Sequence, residues 1–155
     1  MVRIPPDALT TLFPGFLQRG GVIRVEKYPR LFTGPRDKFL ILLNHAFGPA
    51  IPVHHVLTTS QTDKIRRFSW ADRFVVIVHA GGLPFFPLET AVNCRDVHSI
   101  EFDYLQQCYA DGSLTFVGNV PEDMMSRIDG ILRASPYLTP KVARDIFAAP
   151  PPSGE

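Results

Sequence analysis

The stretch "KFLILLNHAFGPAIPVHHVLTT", residues 38–59, holds two apolar runs with a break between them. "KFLILLN" (38–44) is continuous in apolar residues and bounded by polar ones. It is too short for a typical helix and rich in Ile, Leu and Phe, as a buried strand is. "HAFGPA" turns the chain, because Gly and Pro punctuate it. "IPVHHVLTT" (51–59) reads as the next strand, with Pro52 near an edge or at its start, where a missing N–H is tolerated. That strand runs into "TTSQ" (58–61), a cluster of small hydrogen-bonding side chains.

Outward from this pair, the chain is a series of short elements. "PPDALTTLFPGFLQRGG" predicts a short helix from Asp7, interrupted at Pro14, before Gly20 and Gly21 break the chain. "VIRVEKY" (22–28) alternates apolar and polar residues, the pattern of a half-buried strand. "PRLFTGPRD" (29–37) reads as a loop. "SQTDKIRRFSWADR" (60–73) is polar and basic and reads as a connecting loop. "FVVIVHA" (74–80) is another buried strand, "GGLPFFP" a turn, "ETAVNC" (89–94) a short strand and "SLTFVG" (113–118) a further one. "VHSIEFDYLQQCYADG" is ambiguous, with a helical turn in part of it that Gly112 would stop. "PEDMMSRIDGILRA" carries Met124, Ile128, Ile131 and Leu132 at helical spacing, with Pro121, Glu122 and Asp123 suited to a helix N-terminus. A second short helix follows Thr139-Pro140, where threonine can cap and proline can start. The residues after it read as a frayed tail.

The 155 residues fit one domain with a real core. Apolar residues make up 45% and charged residues 20%, a soluble globular composition. A formal charge of +1 gives no electrostatic case for tight, non-specific nucleic-acid binding. Fifteen scattered prolines suit many short elements better than a helical bundle. Two cysteines make no disulfide framework, so a reduced cytoplasmic protein is expected. The longest apolar runs fall far below the roughly 20 residues that span a bilayer. The N-terminal segment lacks a signal-peptide core, so neither secretion by that route nor membrane insertion is expected. There is no βαβ rhythm. The expected fold is mainly β: a small antiparallel, partly closed barrel over 22–118, with C-terminal helices over 121–147. An N-terminal extension (1–20) and a flexible tail (149–155) complete one domain.

Among His54, His55, His79, Cys94 and His98, only Cys94 and His98 stand at a usable metal-ligand spacing. CxxC and HExxH do not occur, so no metal site is expected. GxxxxGKS/T, GxGxxG and GxSxG are also missing, and no cofactor is expected.

In order along the chain, several segments resemble the PemK/MazF-type toxins. "RGGVIRV" resembles that family's "RGDV" opening, with Gly21 where aspartate is frequent. "KFLILLN" resembles "RPVLVLSN", and "VLTTSQ" resembles "PLTSQ". "ETAVNCRDVHSI" resembles "SVVLVDQIRTI", and "FVGNVPEDMMSRIDGIL" resembles "RIGRLSPEEMAEVDEAL". The resemblance covers Arg19 to about Leu132 and implies an SH3-like barrel and a cytoplasmic homodimer. It also implies a type II toxin–antitoxin endoribonuclease that cuts single-stranded RNA without metal and is neutralised by a small antitoxin protein. In that chemistry the RNA 2′-hydroxyl attacks the adjacent phosphate, helped by an arginine before the second strand and a hydroxyl ending the third. Thr59 matches the hydroxyl, and Thr58 takes its place if the register slips by one. Arg36 is the first choice for the cation and Lys38 the second, because Asp37-Lys38 stands where the family has Arg-Pro. Ser60 and Gln61 would add RNA contacts. Lys64, Arg66 and Arg67, interleaved with Phe68 and Trp70, suit an RNA strand. His98 stands at the family's "QIR" arginine. The plain alternatives are an ST-type turn at Thr59, solvated charges at Arg36 and Lys38, and a strand-end polar residue at His98. At the level of the whole chain, the alternative is a non-catalytic SH3-like interaction module that has lost the arginine.

Overall fold

The computed structural model describes residues 13, 17–29 and 36–147. Six strands form one antiparallel sheet: β1 (Gly21–Tyr28), β2 (Arg36–Leu42), β3 (Val53–Thr59), β4 (Val75–Val78), β5 (Thr90–Ile100) and β6 (Leu114–Asn119). Their order across the sheet is β4-β5-β3-β2-β1-β6. The helices are α1 (Thr62–Arg66), α2 (Ala71–Phe74), α3 (Phe102–Asp111), α4 (Glu122–Ala134) and α5 (Pro140–Phe147). The expected mainly β, antiparallel fold with C-terminal helices is present. The sheet does not close by hydrogen bonds, because β4 and β6 are its two edges. The expected helix from Asp7 and the tail at 149–155 lie outside the described residues.

Both faces of the sheet are covered, which explains the unbroken apolar run of β2. Ile41 and Leu43 enter a core shared with Val22, Val56 and Val92 and capped by Met125, Ile128 and Leu132 of α4 and Ile146 of α5. Leu40 and Leu42 enter a second core with Ile23, Val25 and Val53, closed by Phe13 and by Phe102, Leu105 and Cys108 of α3. A strand covered on one side alternates, whereas one covered on both does not.

Helix ends follow local chemistry. Gly112 stops α3 at φ 87°, a left-handed conformation that glycine adopts without a Cβ penalty. The Thr139 hydroxyl accepts the Val142 N–H at 3.3 Å and caps α5. Asp145 of α5 then reaches the sheet. Its Oδ2 lies 2.8 Å from Nε2 of His54, whose Nδ1 meets Ser99 Oγ at 2.7 Å. Arg19 clamps α4 through both Asp129 carboxylate oxygens and donates from Nε to the Leu43 carbonyl at 2.9 Å.

Two segments differ from the expectation. The polar, basic stretch at 60–73 is no plain loop but holds α1 and α2, helices of five and four residues. The strand expected to end at Cys94 continues to Ile100. It reads as interrupted because Leu57 pairs with Asn93 while His55 pairs with His98, so four β5 residues bulge out opposite Val56 alone. Among the described residues no helix is long and apolar enough to cross a membrane.

Candidate functional site

The antiparallel register of β2 and β3 sets the site. Leu40 pairs with Leu57, and continuing that register brings Lys38 opposite Thr59. Arg36 opens β2 two residues further on. A cavity of about 440 Å³ lies at this end of the sheet. Arg36, Lys38, Thr58, Thr59, Ser60 and Gln61 all line it. Residues 85–88 and Thr90 form its other wall.

Each side chain has a distinct setting. Arg36 is exposed. Lys38 is half-buried, with Nζ 3.4 Å from the Thr58 carbonyl oxygen. Burial, and then the neighbouring Arg36 guanidinium, hold the Lys38 ammonium below the ordinary lysine range. Asp37 also lines the cavity and is ion-paired with Arg24. Thr58 is buried and Thr59 half-buried. Thr59 Oγ1 accepts the Gln61 N–H at 3.1 Å, so the ST-type turn is real. That bond uses an acceptor lone pair and leaves the hydroxyl proton available for donation.

The wall at 85–88 supplies apolar surface. Phe86 packs edge-on against Phe39 at 5.5 Å and Phe85 against Phe86 at 4.8 Å. Leu88 is 63% exposed beside the cavity. Glu89 braces the wall to α1: it accepts the Thr62 hydroxyl at 2.7 Å and pairs with Arg66 at 3.0 Å. The Thr62 hydroxyl, with help from Arg66, holds the Glu89 carboxyl below the usual carboxylate range.

A second concavity of about 330 Å³ shares Thr59 and Gln61 with the first. Lys64 and Trp70 line it, together with Phe68, Asn93, Arg95 and Asp96. Phe68 stacks on Trp70 at 5.0 Å and 14°. The Arg95 guanidinium lies 4.9 Å from the ring centres of both Trp70 and Tyr137.

Of the residues picked from sequence, Arg36, Lys38, Thr58, Thr59, Ser60, Gln61, Lys64 and Trp70 converge on these adjoining hollows. Arg66 and Arg67 line neither; Arg66 faces Glu89, and Arg67 ends α1. His98 stands apart from both, stacked on His55 at 6.0 Å with Tyr28 edge-on at 6.5 Å. Cys94 belongs to the core beneath α4, on the face away from His98. Among the described residues no three His, Cys, Asp or Glu side chains are grouped to share a metal ion. Phe85, Phe86, Asn93, Arg95 and Asp96 went unpicked. The signal for the first two was a pair of phenylalanines inside a turn. For the rest it was a polar "NCRD" interrupting a strand.

Chemically, the larger hollow offers a guanidinium, an ammonium, hydroxyls and an aromatic wall. Such a set is chemically complementary to an anion with an apolar or aromatic part. No protein-family model and no curated protein matches this chain.

Proposed function

We propose that the chain is a PemK/MazF-like endoribonuclease toxin, metal-independent, acting as a homodimer on single-stranded RNA and neutralised by a small antitoxin protein. The observation that carries the reading is the meeting of Arg36, Lys38 and Thr59 in one hollow. The RNA 2′-hydroxyl oxygen forms a bond to phosphorus, its proton passing to solvent. The phosphorus–5′-oxygen bond breaks, and the leaving oxygen takes a proton. The products are a 2′,3′-cyclic phosphate and a 5′-hydroxyl. Arg36 offers a planar fork to two phosphorane oxygens. Thr59, fixed through Gln61, donates its proton to a non-bridging oxygen. Lys38, whose proton is released more readily than an ordinary lysine's, serves the leaving 5′-oxygen.

One observation favours a second reading. The Lys38 ammonium is half-buried against the Thr58 carbonyl, at the position where the resembled family has Arg-Pro. A barrel that kept the fold and lost its catalytic cation would bind a protein partner through the same hollow, with Leu88 at its rim.

The purified chain incubated with single-stranded RNA and a chelator separates the two. Cutting that survives chelation, leaves cyclic phosphate ends and disappears in Arg36→Ala and Thr59→Ala supports the nuclease. Intact RNA at excess protein refutes it and leaves the interaction module.

A further inference from the structure

The β5 bulge has no role in the chemistry above, yet it projects two charged side chains beside the strand tip. We propose that the hollow next to Thr59 is a subsite for one unpaired guanine of the RNA strand, stacked on Phe68 and read by the Asp96 carboxylate. The proposal rests on the reading of the adjoining hollow as an RNA site.

Four residues of β5 stand opposite one of β3, and a bulge re-aims side chains that a regular ladder would hold in line. Asn93 fixes its shape. Asn93 Oδ1 accepts the Arg95 N–H at 3.0 Å, and Nδ2 donates to Asp96 Oδ2 at 3.3 Å. Both ends of the Asn93 amide are thereby used, which makes it a positioning residue. Arg95 is one as well. Its guanidinium lies between the Trp70 and Tyr137 rings, and its Nε is buried without a hydrogen-bond partner among the described residues. It anchors Trp70, on which Phe68 stacks. Phe68 is 54% exposed, an aromatic surface free to take a base.

Asp96 is the reader: half its side chain is open to solvent, Arg95 lies at the 4.0 Å limit of an ion pair with Oδ1, and each oxygen, Oδ2 beside its Asn93 bond included, keeps a lone pair for a further donor. An ionised carboxylate only accepts, and it accepts best in a bidentate pair. Guanine alone among the four bases presents two adjacent donors, N1–H and the N2 amine, on its Watson–Crick edge. Cytosine and adenine set an acceptor beside their amine, and uracil flanks its N3–H with two carbonyls. A carboxylate is repelled by those acceptors. Lys64, on the same hollow, takes the phosphate of that nucleotide.

Trp70 is the chain's single tryptophan and lies within this hollow, so its fluorescence reports on it. The test titrates the full chain with short 2′-O-methyl RNA, which lacks the attacking hydroxyl and cannot be cut. Strands carry guanosine, inosine or uridine at one position. Guanosine should bind about tenfold tighter than inosine, which lacks the N2 amine, with saturable quenching of Trp70. Asp96→Asn, which keeps side-chain shape and the melting temperature, should erase that preference while the salt dependence stays. Phe68→Ala should weaken every strand by about five- to a hundredfold. Equal affinity for all three strands, or a guanosine preference that survives Asp96→Asn, overturns the proposal. Guanosine-dependent quenching without cutting of ordinary RNA refutes the nuclease and upholds the subsite. Cutting with no dependence on guanosine does the reverse.

Discussion

Gly118→Ala tests how the wall of the larger hollow is held. Gly118 lies in β6, at the far edge of the sheet from β4, yet the segment between β4 and β5 reaches it. A Cβ at 118 would sit 2.7 Å from Phe85 Cε1 and 3.0 Å from Cδ1. The nearer contact is about 0.7 Å inside the 3.4 Å at which ordinary contact begins. Phe85 cannot yield freely, because its ring packs against Phe86, and Phe86 packs against Phe39. Overpacking of this kind costs about 1–3 kcal/mol. In a chain of this size, that corresponds to a fall in melting temperature of roughly 2–12 °C. The assay is a double-mutant cycle with Phe85→Ala, read by thermal and denaturant unfolding. Removing the ring removes the clash, so Gly118→Ala should be milder by about 1–2 kcal/mol in the Phe85→Ala background. Whatever the backbone itself costs at 118 is common to both backgrounds and cancels. Additive effects, to within about 0.5 kcal/mol, would show that the ring does not rest on Gly118 and that the wall is held some other way.

Thr59→Ala removes a partly exposed bond to the Gln61 N–H, so stability should fall by less than about 1 kcal/mol while RNA cutting is lost. A collapse in melting temperature would instead make that hydroxyl structural. Burial pushes the Cys94 thiol up to about 12. The native protein should therefore resist alkylation at Cys94 at pH 8 and react there only once unfolded. A thiol raised in the folded state adds stability that is present below its unfolded pKa and lost as pH rises toward 12, so unfolding should ease on the alkaline side; rapid native labelling of Cys94 would contradict the burial. Asp145→Ala leaves His54 Nε2, on a ring that is 3% exposed, without its partner, at a cost of about 1–3 kcal/mol. Hydrogen exchange should then show α5 opening before the sheet; unchanged protection in α5 would mean that the tie carries no load.

The legible parts of the fold are those whose cause is local. "KFLILLN" announces a strand covered on both faces, and Gly112 and Thr139 mark helix ends by their own chemistry. The meeting of Lys38 and Thr59 was an expectation of the resemblance, which sets a cation before the second strand and a hydroxyl ending the third on one phosphate, and the β2–β3 register brings the two residues opposite each other. What stayed hidden is non-local or too short for a period. Helices of five and four residues cannot display a 3.6-residue repeat. In the "GGLPFFP" turn, the Phe85 ring lies against Gly118, over thirty residues later, where a side chain would collide with it. The β5 bulge reads as a strand end because its reason lies in Val56 across the ladder.

The candidate site lies at the strand ends, where the two covered faces of the sheet give way to polar side chains. Helices and apolar side chains cover much of both faces, and the polar side chains of the larger hollow stand at the ends of β2 and β3. At this end β3 lies between β2 and β5, hydrogen-bonded on both sides, and Thr59 is its last residue. The hydroxyl is thus carried on an internal strand of the sheet, where a group that positions a reacting phosphate would be held in place. Arg36 begins a strand and is exposed, so under the nuclease reading its guanidinium is open to a phosphate in the hollow. Lys38 lies between them, half-buried, where an uncompensated charge is costly and an arriving anion relieves that cost. A hydroxyl held by the Gln61 N–H, an exposed guanidinium and a half-buried ammonium around one hollow would suit a passing phosphodiester better than a permanent protein contact. On that ground the nuclease reading stands ahead of the interaction module.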